Sequence, residues 1–173
     1  MSRFEDCLKV ILSAEGGYVN DPVDRGGATN KGITQRVYDQ WRKNCGIPSR
    51  SVEIITDDEV SDIYKSDYWF AGKCQLLPEP LDLYHFDACV NHGVSRAVKQ
   101  LQHVLGVDAD GQFGPKSIDA LHEEMKAGQV QELADHLIAN RLDFYHSIVD
   151  RNESQKRFIA GWENRLAHLR MAA

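Results

Sequence analysis

The sequence has no run of about 18 apolar residues, the length a helix needs to cross a bilayer, so membrane insertion is not expected. It also lacks a basic excess: 20 Lys and Arg stand against 26 Asp and Glu. A formal net charge of -6 leaves no field to hold a nucleic-acid backbone, and nucleic acid is excluded as the expected partner. The four cysteines, Cys7, Cys45, Cys74 and Cys89, form no C-x-x-C pair and read as buried thiols of a chain made in a reducing compartment. No H-E-x-x-H helix, G-x-S-x-G elbow, phosphate loop or calcium loop occurs, and no internal repeat. His85, Asp87 and His92 lie near one another at a spacing that matches no compact ligand pattern, so they read as satisfied polar groups on a central helix. Neither a metal nor an organic cofactor is expected. The first residues, MSRFEDCLKVILSAEGG, are interrupted by Glu5, Asp6 and Lys9 and cannot serve as a secretory h-region. Synthesis in the cytoplasm without a signal peptide is the expectation.

What remains is a chain of 173 residues, 42% hydrophobic, long enough to bury a core. Phe4, Cys7, Leu8, Ile11 and Leu12 recur at helical spacing, and the pair Gly16-Gly17 is expected to end that helix in left-handed conformations beside Glu15. The turn-rich text from Tyr18 to Ile33 suggests a small irregular hairpin, with extended pieces around Tyr18-Val19 and Ala28-Thr29. Thr34 reads as the N-cap of the next helix, and Thr56 with Glu59 as a capping box. The segment from Leu77 to Val107 predicts one or two buried, mostly apolar helices with Gly93 as an interruption. Pro115 opens another helix, and two or three amphipathic helices fill the chain to Leu169. Their basic residues, including Arg141 and Arg165, form a candidate surface patch, although interspersed acids favour a solvated helix face. The fold class expected is mainly α with one small hairpin near the N-terminus.

Glu15 carries the chemical question. A carboxyl group at the C-terminal end of a helix faces the negative end of the macrodipole, which disfavours the ionised form and suits a general acid. Glycoside hydrolysis needs one protonated carboxylic acid for the leaving oxygen and a second group on the other face of the sugar ring. Asp24, nine residues on in the turn-rich loop, is the candidate for that second role, and Thr29 or Asn30 for holding the attacking water. A glutamate in a last helical turn is common by itself. The combination with a glycine stop and a polar hairpin is what singles it out. Aromatic rings pack on the apolar faces of sugars, so Tyr18, Tyr64 and Trp69 are candidate cleft residues, with core packing as the alternative fate.

These residues carry a family resemblance. Glu15-Gly16-Gly17-Tyr18, Asp24-Arg25-Gly26-Gly27, Thr29 and Lys31-Gly32-Ile33-Thr34 resemble the N-terminal signature of glycoside hydrolase family 108, muramidases once described as secretion activator proteins. The likeness continues through Ile63-Tyr64-Lys65, Tyr68-Trp69, Phe86-Asp87 and Val90-Asn91-His92-Gly93. From Val94 to about Leu169 the chain is similar to the predicted peptidoglycan-binding region that accompanies this family, and the turn Asp110-Gly111-Gln112-Phe113-Gly114-Pro115 resembles one in peptidoglycan-binding modules. The resemblance implies a lysozyme-like, two-lobed helical fold that cuts the β-1,4 bond between N-acetylmuramic acid and N-acetylglucosamine in peptidoglycan glycan strands. It implies Glu15 as the acid, assigns Asp24 and Thr29 more loosely by a parallel with phage-type lysozymes, and adds Asn91 to the substrate-binding candidates Tyr18, Asn30, Tyr64 and Trp69. Residues 1–93 would form the catalytic lobe and 94–173 the peptidoglycan-binding lobe, packed as one compact unit. A monomer acting on the wall in the periplasm is expected, in the manner of a phage endolysin or a bacterial remodelling enzyme. Two alternatives remain open at this point: a lytic transglycosylase using the same glutamate, and a non-hydrolytic wall-binding or secretion-accessory protein.

Overall fold

The computed structural model describes residues 2–20 and 27–173. It is mainly α, with a single two-stranded antiparallel hairpin among the described residues, and it divides into two compact units, Met1–Ser66 and Asp67–Ala173.

The first unit begins with α1 (Arg3–Ala14), which Ser2 and Glu5 open as a reciprocal capping box. Phe4, Cys7, Leu8 and Ile11 form its buried stripe, and each fully buried aliphatic side chain there contributes about 1.5–3 kcal/mol. The helix stops by a different device from the one the glycine pair suggested. Glu15 itself turns to extended backbone (φ -92°, ψ 145°) as the C-cap, with its N–H donating to the Leu12 carbonyl. Neither Gly16 nor Gly17 has a positive φ, and neither has a neighbour within 4 Å of where a Cβ would stand.

The hairpin pairs β1 (Thr29–Asn30) with β2 (Ile33–Thr34), in register Thr29 to Thr34 and Asn30 to Ile33. Its two-residue turn, Lys31-Gly32, has both φ values positive (50° and 77°), the pattern that matches the natural twist of the paired strands. A further bridge joins Val19 to Thr29, so the two expected extended pieces do meet, while the second strand proper is Ile33–Thr34. Thr34 then caps α2 (Gln35–Asn44) by accepting from the Val37 N–H. After a 3-10 turn at Val52–Ile54, Thr56 and Glu59 make the capping box of α3 (Asp57–Tyr64).

A polar cluster ties α2 to α3. The Tyr38 hydroxyl donates to Glu59 (2.8 Å), Arg42 donates to Glu59 (2.7 Å) and to Tyr38 (3.0 Å), and Arg50 reaches both. Burial pushes the Glu59 carboxyl up, yet the hydrogen bonds from Thr56 and Tyr38 and the nearby Arg50 hold it below its ordinary value.

In the second unit α4 (Leu81–His92) is buried on every side from Leu81 to Cys89, as its lack of a polar face requires. Gly93, at φ 79°, breaks it from α5 (Val94–Val104). α6 (Pro115–Lys126) starts with Pro115 at its first turn; α7 (Val130–Arg151) and α8 (Ile159–Ala172) follow. α4 packs on α5 and α7, and α7 also on α6 and α8. The Asp110-Gly111 turn is fastened from within: the buried Gln102 amide donates to Asp110 (2.8 Å), Gln112 and Ser117 and accepts from the Gly111 N–H.

The centre of this unit is a buried carboxylate. Asp87, 1% exposed, receives Arg141 from α7 (2.6 Å) and Arg165 from α8 (2.8 Å). The Asn91 amide donates to its carboxylate and to its backbone carbonyl. Arg141 is wholly buried, so this residue and its partner Arg165 belong to the core pairing and not to a basic outer patch. Trp69 is likewise interior, packed edge-on against Phe86 with ring centroids 5.2 Å apart.

Burial pushes the Asp87 carboxyl up, but Arg141 and Arg165 more than reverse this and leave it below its ordinary value. A carboxyl group depressed in the folded state adds stability that is fully present above the unfolded value, about 3.9, and is lost as pH falls through the folded value. Asp87→Asn, which leaves two guanidinia facing an uncharged amide, is expected to cost about 3–5 kcal/mol. Thermal unfolding followed from about pH 2 to about pH 7 should show this component of acid sensitivity in the wild type and not in the variant. Equal stability of the two proteins at neutral pH would refute the assignment.

Candidate active site

The candidate acid sits where three pieces of the first unit converge: the end of α1, the hairpin turn and the end of α3. Glu15, half-buried, follows the last turn of α1. Gly32, in the hairpin turn, lies directly against it. A Cβ built on Gly32 would stand 3.0 Å from a Glu15 carboxylate oxygen and 2.5 Å from the Tyr64 hydroxyl. Tyr64 is the last residue of α3, and its hydroxyl donates to the Lys31 carbonyl (2.9 Å), so it holds the left-handed turn from beneath. The Lys31 ammonium pairs with Asp57 at the start of α3, which fixes the other side of that turn.

Glycine is required at 32 for two independent reasons. The backbone conformation is one that residues with a Cβ adopt at a cost, and the space a Cβ would fill is taken by the two oxygens. A carboxyl group held at a rigid helix end, beside a hydroxyl that is itself anchored, is a positioned proton donor or acceptor of the kind acid–base catalysis requires.

The other candidates take several positions. Thr29 is half-buried on β1, where its backbone bonds Val19 on one side and pairs with Thr34 on the other. Asn30 is buried, and its amide nitrogen donates to the carbonyls of Val52 (3.1 Å) and Glu53 (3.0 Å), so it fastens the hairpin to the 3-10 turn. Tyr18 is 40% exposed. Tyr64 is wholly buried, and its hydroxyl lies against Gly32 as the Glu15 carboxylate does; a buried ring offers no face to a sugar. Trp69 and Asn91 belong to the second unit, the first in its core and the second on the Asp87 cluster. Asp24 lies outside the described residues. Gly32 and the Tyr64 hydroxyl are the two supports that sequence reasoning missed in these roles. The Lys31-Gly32 pair is the signal for the first, because a two-residue turn between extended pieces calls for positive φ at both positions.

Gly32→Ala is expected to destabilise the chain by about 1–2 kcal/mol for the left-handed backbone alone, with the displaced Glu15 and Tyr64 oxygens adding to that. Any enzymatic activity that depends on Glu15 should fall more than the stability loss accounts for. Gly16→Ala and Gly17→Ala, in open space, serve as controls with near-normal unfolding temperatures. An alanine at 32 that leaves both temperature and activity unchanged would contradict this geometry.

The family model for glycosyl hydrolase 108 matches residues 8–93, and that described as Predicted Peptidoglycan domain matches residues 96–167. Among solved structures, SagA of Brucella abortus superposes with a TM-score of 0.80 at 32% identity, over 97% of this chain and 91% of that one. A search of curated proteins finds no match. α4 therefore belongs to the hydrolase family model by sequence and to the second compact unit by packing. With identity at that level along nearly the whole chain, and with both family regions present in order, this chain belongs to glycosyl hydrolase family 108 and is a peptidoglycan hydrolase.

Proposed function

We propose that the chain is an N-acetylmuramidase that cleaves the β-1,4 bond between N-acetylmuramic acid and N-acetylglucosamine, with Glu15 as its general acid. The observation that carries the reading is the Glu15 carboxyl group at the end of α1, backed by Gly32, the glycine that the anchored Tyr64 hydroxyl also lies against. In this reading Glu15 delivers its proton to the leaving glycosidic oxygen as the C–O bond breaks, and the developing oxocarbenium ion is met by water on the other face. Asp24 and Thr29 are assigned to that water, and Tyr18 to a sugar ring. Asn30 and Tyr64 act by holding the hairpin in place, Asn30 through Val52 and Glu53 and Tyr64 through Lys31. Trp69 and Asn91 support the second unit's core in the same indirect way. Catalysis is assigned to residues 1–93 and wall binding to residues 94–173, acting as a monomer in the periplasm, where the substrate lies.

Glu15→Gln keeps the shape and removes the transferable proton. It is expected to lower the clearing of outer-membrane-stripped sacculi by a factor on the order of 100–10,000, with new muramic reducing ends made by the wild type alone. Activity retained in the amide would overturn the site. Products lighter by one water would identify a lytic transglycosylase, and binding without release of fragments a wall-binding protein.

The wall-binding assignment draws on a groove of about 840 Å³ in the second unit. Arg96 lies over the Phe144 ring at 4.8 Å, with Lys99 and His103 beside it, a surface suited to the carboxylates of peptidoglycan stem peptides. The double variant Arg96→Glu, Lys99→Glu is expected to sediment less with sacculi, most clearly at low salt, while its helical content is unchanged. Undiminished sedimentation would remove the groove from the binding surface.

A further inference from the structure

A second chemistry-bearing cluster lies in the second unit, made by side chains that the hydrolytic reaction does not use. Cys74 stands on the 3-10 turn Cys74–Leu76, which packs on α4, and His85 and Cys89 stand four residues apart on α4 itself. Residues at i and i+4 share one helix face, so α4 presents an imidazole and a sulfur side by side toward the turn. All three residues are buried, and one ligand atom from each lies within 4.8 Å of the other two.

We infer that Cys74, His85 and Cys89 form a structural site for a thiophilic d10 metal ion, zinc(II) above all. The geometry supports this on three counts. A tetrahedral zinc ion, with bonds of about 2.3 Å to sulfur and 2.0–2.1 Å to nitrogen, sets those two ligand atoms about 3.5 Å apart. The Cys89 sulfur lies 3.6 Å from His85 Nε2. Next, glycine at 72 leaves the cradle open: a Cβ there would stand 2.5 Å from the Cys89 sulfur and 3.3 Å from the Cys74 sulfur. Finally, the Gly72 carbonyl oxygen, 3.0 Å from His85 Nε2, accepts its N–H; when the neutral imidazole presents that nitrogen to a metal instead, this carbonyl is an oxygen donor within reach. Two cysteines and one histidine are a donor set that zinc accepts, whereas oxygen-seeking calcium and magnesium do not.

Zinc takes both sulfurs as thiolates and the imidazole in its neutral form. Binding releases the sulfur-bound protons to solvent and leaves oxidation states unchanged. The ion would pin the Cys74 turn to α4 and so stiffen the chain on the N-terminal side of the central helix. Cys45, exposed and in the first unit, takes no part.

The test uses the full chain purified with reductant and without chelator, equilibrated with zinc(II), freed of excess ion and assayed for metal and for unfolding temperature. The expected result is one zinc ion per chain, retained in Cys45→Ser, lost in Cys89→Ser, and accompanied by a higher unfolding temperature. Cobalt(II) in place of zinc reads the ligands in the wild type itself, so the result stands even if Cys89→Ser fails to fold. Two thiolates and a tetrahedral field give strong sulfur-to-cobalt charge-transfer absorption and intense d–d bands. Uptake below about a tenth of an ion per chain with an unchanged unfolding temperature overturns the site. So does a weak, octahedral cobalt spectrum without thiolate absorption, or a wild-type protein whose Cys74 and Cys89 are joined as a disulfide and take up no metal.

Discussion

At residue 32 the backbone of the first unit runs through a left-handed turn with the Tyr64 hydroxyl and the Glu15 carboxylate filling the space a side chain would need. Three elements meet at that point, and each is fixed by something outside it. The end of α1 is set by its buried stripe, the hairpin by Asn30 gripping the backbone of the 3-10 turn, and the end of α3 by its capping box and the Glu59 cluster with Tyr38, Arg42 and Arg50. A carboxyl group carried on a loop would wander by more than the small tolerance that proton transfer allows. Here it is carried by the C-cap residue of a helix whose other face is core.

The second unit is organised around charge instead of a glycine contact. Asp87 on α4, Arg141 on α7 and Arg165 on α8 bring three helices to one point. A buried ion pair of this kind gains little over a well-packed apolar core in net stability, because removing both charges from water is costly. What it does impose is register: sliding α7 by one residue past α4 would carry Arg141 off the carboxylate and leave both charges buried and unmet. His92, five residues beyond Asp87 on α4, shows the same environment from the other side; burial and then the nearby Arg141 bring it down to about 4, and its ring is packed against Phe144 and Tyr145.

The parts of the fold that were legible in the sequence are those written in local chemistry. The apolar stripe of α1, the caps at Thr34 and Thr56, the break at Gly93 and the start at Pro115 each depend on residues within a turn or two of one another. What could not be read depends on distant partners. Asn30 looked available for substrate because nothing nearby in sequence reveals the Val52 and Glu53 carbonyls, 22 and 23 residues away. Arg141 looked like a surface cation because its carboxylate is 54 residues upstream. Tyr64 and Trp69 carry the amphipathic rings expected of a cleft, yet their composition says nothing of which end will be covered. The Gly16-Gly17 pair misled in the opposite direction, since a local stop signal was present and the chain turned by extending at Glu15. His85 and Cys89 were the exception among the missed contacts: their i, i+4 spacing on a helix was visible, but the third member, Cys74, was not.

α4 is claimed from two directions, by the hydrolase family model as its final helix and by the second compact unit as its centre. A helix buried on every side cannot end one module and be left behind by the next. If the two regions were separated at Gly93, α4 would lose α5 and α7 and expose an apolar surface together with the Asp87 carboxylate that Arg141 and Arg165 now pair. The helices that match the second family model therefore cannot be detached from α4 without uncovering its apolar surface. The boundary between the two family models thus falls inside one packed core and not between two.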